Sequence, residues 1–345
     1  MKIVDVSGFG HSGKTAVTDF LKQYDCVVGF PNFVEFELFR VPGGLLDLYF
    51  SIYESWNLIR STVRINDFKK LVKRIGTIQS SSNPISYFTA SGHGYDHYFN
   101  GRFIELSNNL INKIILAEQY TFWPYENLRL PGLIIFRNKL YARFFNSLVS
   151  ANIYYSDRNQ FIEHVQTYIK ELFDELHAPG KTHVILNNAF DPFNPGLCLE
   201  MAGKDAYSII VDRDPRDVYA SQISAKDGYI PDFEKNKNID KIKKLFTGFN
   251  DINQFIFRYR TIKGNVKDDK GGKVLRLRYE DFITDHENQS KIVRTFIGID
   301  ENAVIAGAEF SVSNSIKNIG LWKKYENLPE IKLIEKELKQ YCYQQ

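Results

Sequence analysis

The eight residues Gly8-Phe9-Gly10-His11-Ser12-Gly13-Lys14-Thr15 fit the spacing G-x-x-x-x-G-K-S/T. Their context makes them constraining: a short β-rich run at residues 2–6 precedes them, and residues 16–24 follow with Val17, Phe20 and Leu21 at helical spacing. A glycine-rich turn between a buried strand and a helix aims several backbone N–H groups inward. The helix N-terminus adds about half a positive charge, and Lys14 adds a mobile ammonium. A chain that opens this way is committed to a strand–loop–helix unit shaped to cradle an anionic group.

The same alternation continues downstream. Apolar strands are expected at 26–30, 182–186, 207–211 and 273–278, with helices at 217–224 and 239–262, another ending at 293–297, and a last one at 331–341. Residues 157–176 place Phe161, Val165, Tyr168, Ile169 and Leu172 on one helical face and stop at Pro179-Gly180. Short apolar strands separated by helices predict an α/β fold in three layers, a parallel sheet covered on both faces, with functional residues at the carboxyl ends of the strands. Helices are also expected at 45–59 and 68–75. Residues 76–155, rich in Tyr, Phe, Asn and Ser, lack this alternation and are read as a helical insertion on the acceptor side of a single domain spanning 1–345. Most aromatic residues there are assigned to core, with Trp123, Tyr125 and Arg129 as pocket candidates. His93 and His97 are read as a loop pair, and the Lys-rich stretch 235–244 as a solvated helix face.

Composition narrows the partners. With 43% hydrophobic residues in 345, the chain has ample apolar surface for a core. Its net charge of +3, from 44 Lys and Arg against 41 Asp and Glu, is far from that of a nucleic-acid binder, so any anion site is local. Cys26, Cys198 and Cys342 are widely spaced, which argues against a disulfide scaffold or a zinc site. The N-terminal residues lack the apolar region of a signal peptide, and no segment approaches the roughly 20 apolar residues of a membrane span. The expectation is a cytoplasmic protein with no integral membrane segment and no nucleic-acid partner. Nothing in the sequence sets the oligomeric state.

A second anion site is expected after the strand Ser208-Ile209-Ile210-Val211-Asp212. There the chain continues Arg213-Asp214-Pro215-Arg216-Asp217-Val218-Tyr219-Ala220-Ser221, leaving a strand, turning at Pro215 and entering a helix. Arg213 at the strand's carboxyl end and Ser221 two turns into the helix are placed to clamp a second phosphate. Asp212 suits either a Mg²⁺ site shared with Thr15 or a strand cap beside Arg213.

With this segment the chain resembles the sulfotransferases that use 3′-phosphoadenosine-5′-phosphosulfate (PAPS). Members of that family carry an N-terminal loop for the 5′-phosphosulfate and a later R-D/N-P-R/K-D-x-x-x-S segment for the 3′-phosphate, matched by Arg213 and Ser221 at a spacing of eight. Leu277-Arg278-Tyr279-Glu280-Asp281-Phe282 with Phe296-Ile297-Gly298 is similar to the family's YEDL…FLG elements. Ser315-Ile316-Lys317-Asn318-Ile319-Gly320-Leu321-Trp322-Lys323-Lys324-Tyr325 is similar to its C-terminal basic loop, which ends in G-x-W-K/R. In the first loop His11 stands where the family commonly has Lys or Arg, and Lys14 stands where Thr is usual. The likeness spans residues 8 to 325 but hardly touches 40–180.

The resemblance implies a parallel sheet of the P-loop NTPase and sulfotransferase type. It also implies PAPS held by Gly10, His11, Ser12, Gly13, Lys14, Thr15, Arg213, Ser221, Lys317, Gly320, Trp322 and Lys323, with no metal required. Lys14 is expected to stabilise the leaving phosphate with help from His11. Glu35 and Glu37, after the second strand, are the expected bases toward a saccharide or other small hydroxylated acceptor. His183 lies in a K-T-H triplet like that of small-molecule sulfotransferases, but its position at the amino end of a strand favours a structural role. Asn187 and Asn188 are candidates to bind the acceptor hydroxyl, and Asp191 is an alternative base. Two other readings stay open: a P-loop kinase using Thr15, Asp212 and Mg²⁺, and a non-catalytic nucleotide- or carbohydrate-binding module.

Overall fold

The computed structural model describes residues 1–31, 34–78, 93–146, 148–224, 251–269, 271–305, 307 and 310–344. Its strands are β1 (Lys2–Gly8), β2 (Val27–Gly29), β3 (Ile115–Phe122), β4 (Ser150–Ser156), β5 (His183–Asn187), β6 (Ala206–Asp212) and β7 (Val274–Arg278). The principal helices are α1 (Lys14–Lys22), α2 (Leu58–Gly76), α3 (Phe103–Ile114), α4 (Gly132–Phe145) and α5 (Phe161–Asp174). They continue as α6 (Pro215–Ser224), α7 (Ile252–Gly264), α8 (Tyr279–Thr284), α9 (His286–Ile297) and α10 (Pro329–Glu337). The chain packs into two compact units. One comprises Met1–Phe36, Ala178–Leu199 and Asp205–Gln345, the other Glu37–His177 and Glu200–Lys204.

The first unit is an α/β structure built on a five-stranded parallel sheet, ordered β2-β5-β1-β6-β7 and flanked by helices. β1 holds the centre because both its faces are satisfied. Val4 and Val6 join a core with Val17 and Phe20 of α1, Phe282 of α8, and Val293 and Ile297 of α9. The buried polar pair on its opposite face has partners too: Asp5 accepts from Ala189 N–H at 2.7 Å, and the Ser7 hydroxyl donates to the Phe190 carbonyl at 3.2 Å. The register sets Gly8 beside Val211, Val6 beside Asn187 and Asp212 beside Arg278, so the carboxyl ends of four strands lie next to one another. A smaller apolar cluster joins α6, α7 and α10 through Val218, Tyr219, Phe255, Ile256, Ile331 and Ile334. α7 starts at Asp251, which caps it by accepting the Gln254 N–H at 3.1 Å. The earlier part of the helix expected at 239–262, and all of 235–244, lie outside the described residues.

The second unit departs from the sequence reading in two places. The helix expected at 45–59 is broken: an α-turn at Leu45–Leu48 passes into a π-helical turn at Tyr49–Glu54, and a new helix starts at Asn57. The Asn57 side chain accepts the N–H groups of Ile59 and Arg60, both at 3.1 Å, and the segment 68–75 is the end of that long α2. The stretch 76–155, expected to be helical, also contains β3 and β4, which pair antiparallel from Ile115/Ser156 to Phe122/Ser150. β3 is exposed along both faces, so its sequence carries no apolar–polar alternation to reveal it.

α5 matches its expected face: Phe161, Val165, Tyr168, Ile169 and Leu172 are buried, and the Tyr168 hydroxyl meets Ser107 Oγ at 2.8 Å. Tyr95, Phe99, Phe103 and Trp123 are core, whereas most large apolar side chains from Tyr120 to Leu148 face solvent, against the core assignment. Among the described residues no helix is long and apolar enough to cross a membrane.

His183 is the first residue of β5 and is 3% exposed, with Nε2 on the Ile297 carbonyl at 3.1 Å and Nδ1 by the Thr182 hydroxyl at 2.8 Å. Burial lowers its pKa below the ordinary 6.5. The unfolded chain therefore binds this proton more tightly than the folded one. Stability falls as pH drops through 6.5 toward the folded value, and is regained as pH rises. His286, also lowered by burial, acts in the same direction. The urea midpoint is expected to drop between about pH 7 and about pH 5, and His183→Gln is expected to remove part of that slope. An unchanged slope would assign the acid sensitivity elsewhere.

Candidate functional site

The glycine loop after β1 has distinct requirements at each glycine. A Cβ on Gly8 would lie 2.3 Å from Ser12 Oγ and 2.7 Å from the Val211 carbonyl, so the loop needs glycine there to fold against β6. Gly13 has φ +84° and a Cβ would enter the Tyr279 ring at 2.3 Å. Gly10 has nothing within 4 Å of that position. His11 adopts φ +61°, a left-handed conformation that few side chains tolerate. Gly13 caps α1 without a side-chain acceptor, which leaves first-turn N–H groups for a ligand, and the buried Ser12 Oγ makes no hydrogen bond.

Lys14 Nζ donates to Glu35 Oε1 and to Asn187 Oδ1, both at 3.1 Å. Asn188 Nδ2 donates to Glu35 Oε2 at 2.9 Å. Asn188 holds that position through a left-handed backbone, φ +53°, and an N–H to the Val6 carbonyl at 3.0 Å. The two amides that the sequence offered to an acceptor hydroxyl thus hold a lysine–glutamate pair at the carboxyl ends of β1 and β5. Asp191 closes a turn by accepting the Phe193 N–H at 3.0 Å.

Glu37 belongs to the second unit, where its carboxylate meets His93 Nε2 at 2.8 Å and Arg40 at 3.4 Å. The His93 hydrogen bond, with help from Arg40, holds this carboxyl below its ordinary pKa against the effect of burial.

The second segment reaches the first loop directly. Arg213, 6% exposed, donates from Nη1 to the His11 carbonyl at 3.1 Å and from Nη2 to the Asn318 carbonyl. Its guanidinium lies 5.0 Å from the centre of the Tyr279 ring, and its Nε has no partner. These contacts are with neutral groups, and the buried Asp217 carboxylate lies close enough to feel the guanidinium's charge. Ser221 Oγ lies 3.2 Å from His11 Nδ1.

Four further residues, which the sequence reading assigned no role, fix this arrangement. Asp214 caps α6 by accepting the Arg216 N–H at 2.8 Å, with Pro215 as the first helical residue, and pairs with the Arg216 guanidinium at 2.7 Å. Asp217 accepts the N–H groups of Gly320 at 2.8 Å and Trp322 at 3.0 Å, although burial still pushes its carboxyl up. Glu280, raised by burial as well, accepts the Asp214 N–H at 2.7 Å. The Tyr279 hydroxyl donates to the Ser315 carbonyl at 2.8 Å. The signal for all four was their place inside the segments already singled out.

Trp322 stacks on Arg216, ring centre to guanidinium 4.2 Å, and Gly320 turns at φ +70° over the Lys323 side chain. Lys317 donates to Asn314 Oδ1 at 3.2 Å. Thr15 is exposed, and Asp212 is ion-paired with Lys263, so a cation at Asp212 would have to displace an ammonium. Of the remaining candidates, Trp123 is buried and Arg129 donates to Asp67 at 2.7 Å. Among the described residues no three His, Cys, Asp or Glu side chains are grouped to hold a metal ion.

No protein-family model matches the chain, and no curated protein sequence does. Among solved structures, the sulfotransferase STF9 from Mycobacterium avium is similar at 12% identity over 99% of this chain and 75% of that one, with a TM-score of 0.30.

The glycines give a direct test of the loop. Gly13→Ala is expected to lower the unfolding free energy by about 1–3 kcal/mol, because it combines a left-handed backbone with a clash. Gly10→Ala is expected to stay within about 0.5 kcal/mol of the parent in urea denaturation. Equal losses at both positions would contradict the geometry.

Proposed function

We propose that the first unit is a sulfotransferase that uses PAPS and an acceptor hydroxyl of a saccharide or other small molecule. The observation that carries this reading is the bridge made by Arg213, which links the carbonyls of His11 and Asn318 and so brings the glycine loop, the R-D-P-R-D segment and the G-x-W-K loop onto one buried guanidinium. A nucleotide with charged groups at both its 5′ and 3′ positions needs two neighbouring anion sites. The residues fit such a group: a hydroxyl at Ser12 and a guanidinium Nε at Arg213 have unmet hydrogen-bonding capacity, and glycine at 8 and 13 lets the loop fold tightly against β6 and Tyr279 with its N–H groups turned inward.

PAPS, when bound, supplies the sulfuryl group that moves to the acceptor oxygen. The loop N–H groups, the α1 N-terminus and Lys14 are the donors assigned to the negative charge that develops on the departing phosphate. Glu35, already a hydrogen-bond acceptor for Lys14 and Asn188, is assigned the acceptor's hydroxyl proton. Glu37 lies in the second unit, where His93 holds its carboxyl down. Arg213 and Ser221 are assigned the 3′-phosphate, and Trp322 with the 317–323 loop the nucleotide beside it. His11, whose ring meets Ser221, links the two sites.

Calorimetric titration with adenosine 3′,5′-bisphosphate and with ATP plus Mg²⁺ tests this assignment. The bisphosphate is expected to bind more tightly, and Arg213→Ala to weaken it about tenfold to a hundredfold. Glu35→Gln is expected to keep that binding while slowing sulfuryl transfer by about two to four orders of magnitude. A clear preference for ATP with Mg²⁺ would overturn the proposal in favour of a kinase. Retained binding with no transfer to any hydroxyl acceptor would favour a binding module.

A further inference from the structure

The second anion segment carries two buried arginines with different surroundings. Arg213 donates to neutral carbonyls, whereas Arg216, 6% exposed, is matched by acids. Its Nε and Nη2 reach the two carboxylate oxygens of Asp214 at 3.1 and 2.7 Å, and its Nη1 reaches Glu335 of α10 at 2.9 Å. Nη2 also donates to the Tyr343 carbonyl at 3.1 Å. With its charge matched and most of its donors occupied, Arg216 fixes structure and leaves the nucleotide to Arg213.

The stretch of chain that meets Arg216 is held at two more points. The Tyr343 N–H donates to Asp214 Oδ2 at 2.9 Å, and the Tyr341 carbonyl accepts from Arg278 Nη2 at 2.7 Å. The Arg278 guanidinium lies 5.5 Å from the centre of the Tyr343 ring. Residues 341–343 thus tie the first turn of α6, through Asp214 and Arg216, to the end of β7, through Arg278. A cavity of about 260 Å³ borders Tyr343, Asp214, Arg216, Glu280 and Trp322. On that side hydrogen bonds, and not packed side chains, decide where the segment lies.

Asp214 carries this constraint to the anion site. Its carboxylate caps α6 at the Arg216 N–H, it directly follows Arg213, and Ser221 lies two turns along the same helix. A shift of Asp214 therefore moves both residues assigned to the 3′-phosphate, while Lys14 is held separately by Glu35 and Asn187. We propose that residues 341–343 are a positioning clasp for the second anion site, through which the chain sets its preference for a nucleotide with a 3′-phosphate. The proposal rests on the nucleotide reading above. The clasp acts through Asp214 and Arg216 on Arg213 and Ser221, without touching the nucleotide itself.

Calorimetric titration with adenosine 3′,5′-bisphosphate and with adenosine 5′-monophosphate tests it, read as the ratio of the two affinities. Tyr343→Pro removes the N–H that Asp214 accepts, and Cys342 before it already has the extended backbone, φ −68° and ψ 141°, that a residue preceding proline prefers. In this variant the ratio is expected to fall about tenfold, with the monophosphate affinity kept within about twofold of the parent. Tyr343→Ala keeps the N–H and is expected to keep most of the ratio. An unchanged ratio in Tyr343→Pro would overturn the proposal. So would a parallel loss of both affinities, which would show a general structural role. A parent with no preference for the bisphosphate would overturn the nucleotide reading instead. Hydrogen exchange at the Arg216 amide, measured without nucleotide, then decides the clasp alone: faster exchange in Tyr343→Pro than in Tyr343→Ala supports it, and equal exchange overturns it.

Discussion

A single buried cation holds the first unit's candidate site together. Arg213 leaves the carboxyl end of a central strand and spends two of its donors on main-chain carbonyls, one at His11 in the glycine loop and one at Asn318 near the end of the chain. Because both partners are backbone atoms, the guanidinium fixes where two loops run. Both hydrogen-bond partners are neutral, and the buried Asp217 carboxylate nearby feels the guanidinium's charge in a place shielded from water, where electrostatic interactions are stronger than at the surface. The Tyr279 ring adds a favourable face. Arginine suits this task better than lysine, since a planar fork reaches two carbonyls in different directions at once.

Around this cation the protein arranges carboxylates that serve the backbone. Asp214, Asp217 and Glu280 are 2%, 1% and 0% exposed, and each accepts main-chain N–H groups that would otherwise be orphaned at a helix start or in a tight loop. Burial works against the charged forms of Asp217 and Glu280, and the N–H groups and nearby guanidinium groups work for them. Lys14 and Glu35 lie nearer solvent and form the pair that carries the proposed chemistry, oriented by Asn187 and Asn188.

The sheet was legible because its determinants are local. Apolar runs such as 207–211 and turn residues such as Gly8, Gly13 and Pro215 declare a buried strand and its exit without reference to distant residues. The α/β class followed from these. What the sequence concealed depends on partners far along the chain. Nothing near Asp217 shows that its carboxylate meets Gly320 and Trp322, and nothing near Asn187 and Asn188 shows that they turn toward Lys14 and Glu35. The strands β3 and β4 were hidden for another reason. Exposure on both faces of β3 removes the periodicity by which a strand is recognised, and the exposed aromatic residues near it resemble a core in composition alone.

The contact between Asp217 and the closing loop has a consequence for variation. Its two bonds end on peptide nitrogens, while the Trp322 ring packs on Arg216 and on the apolar cluster around Val218 and Ile331, and the left-handed turn at 320 is reserved for glycine. The segment is therefore fastened twice, once through its main chain and once through an indole, so that trimming the ring would loosen the second fastening and leave the first in place.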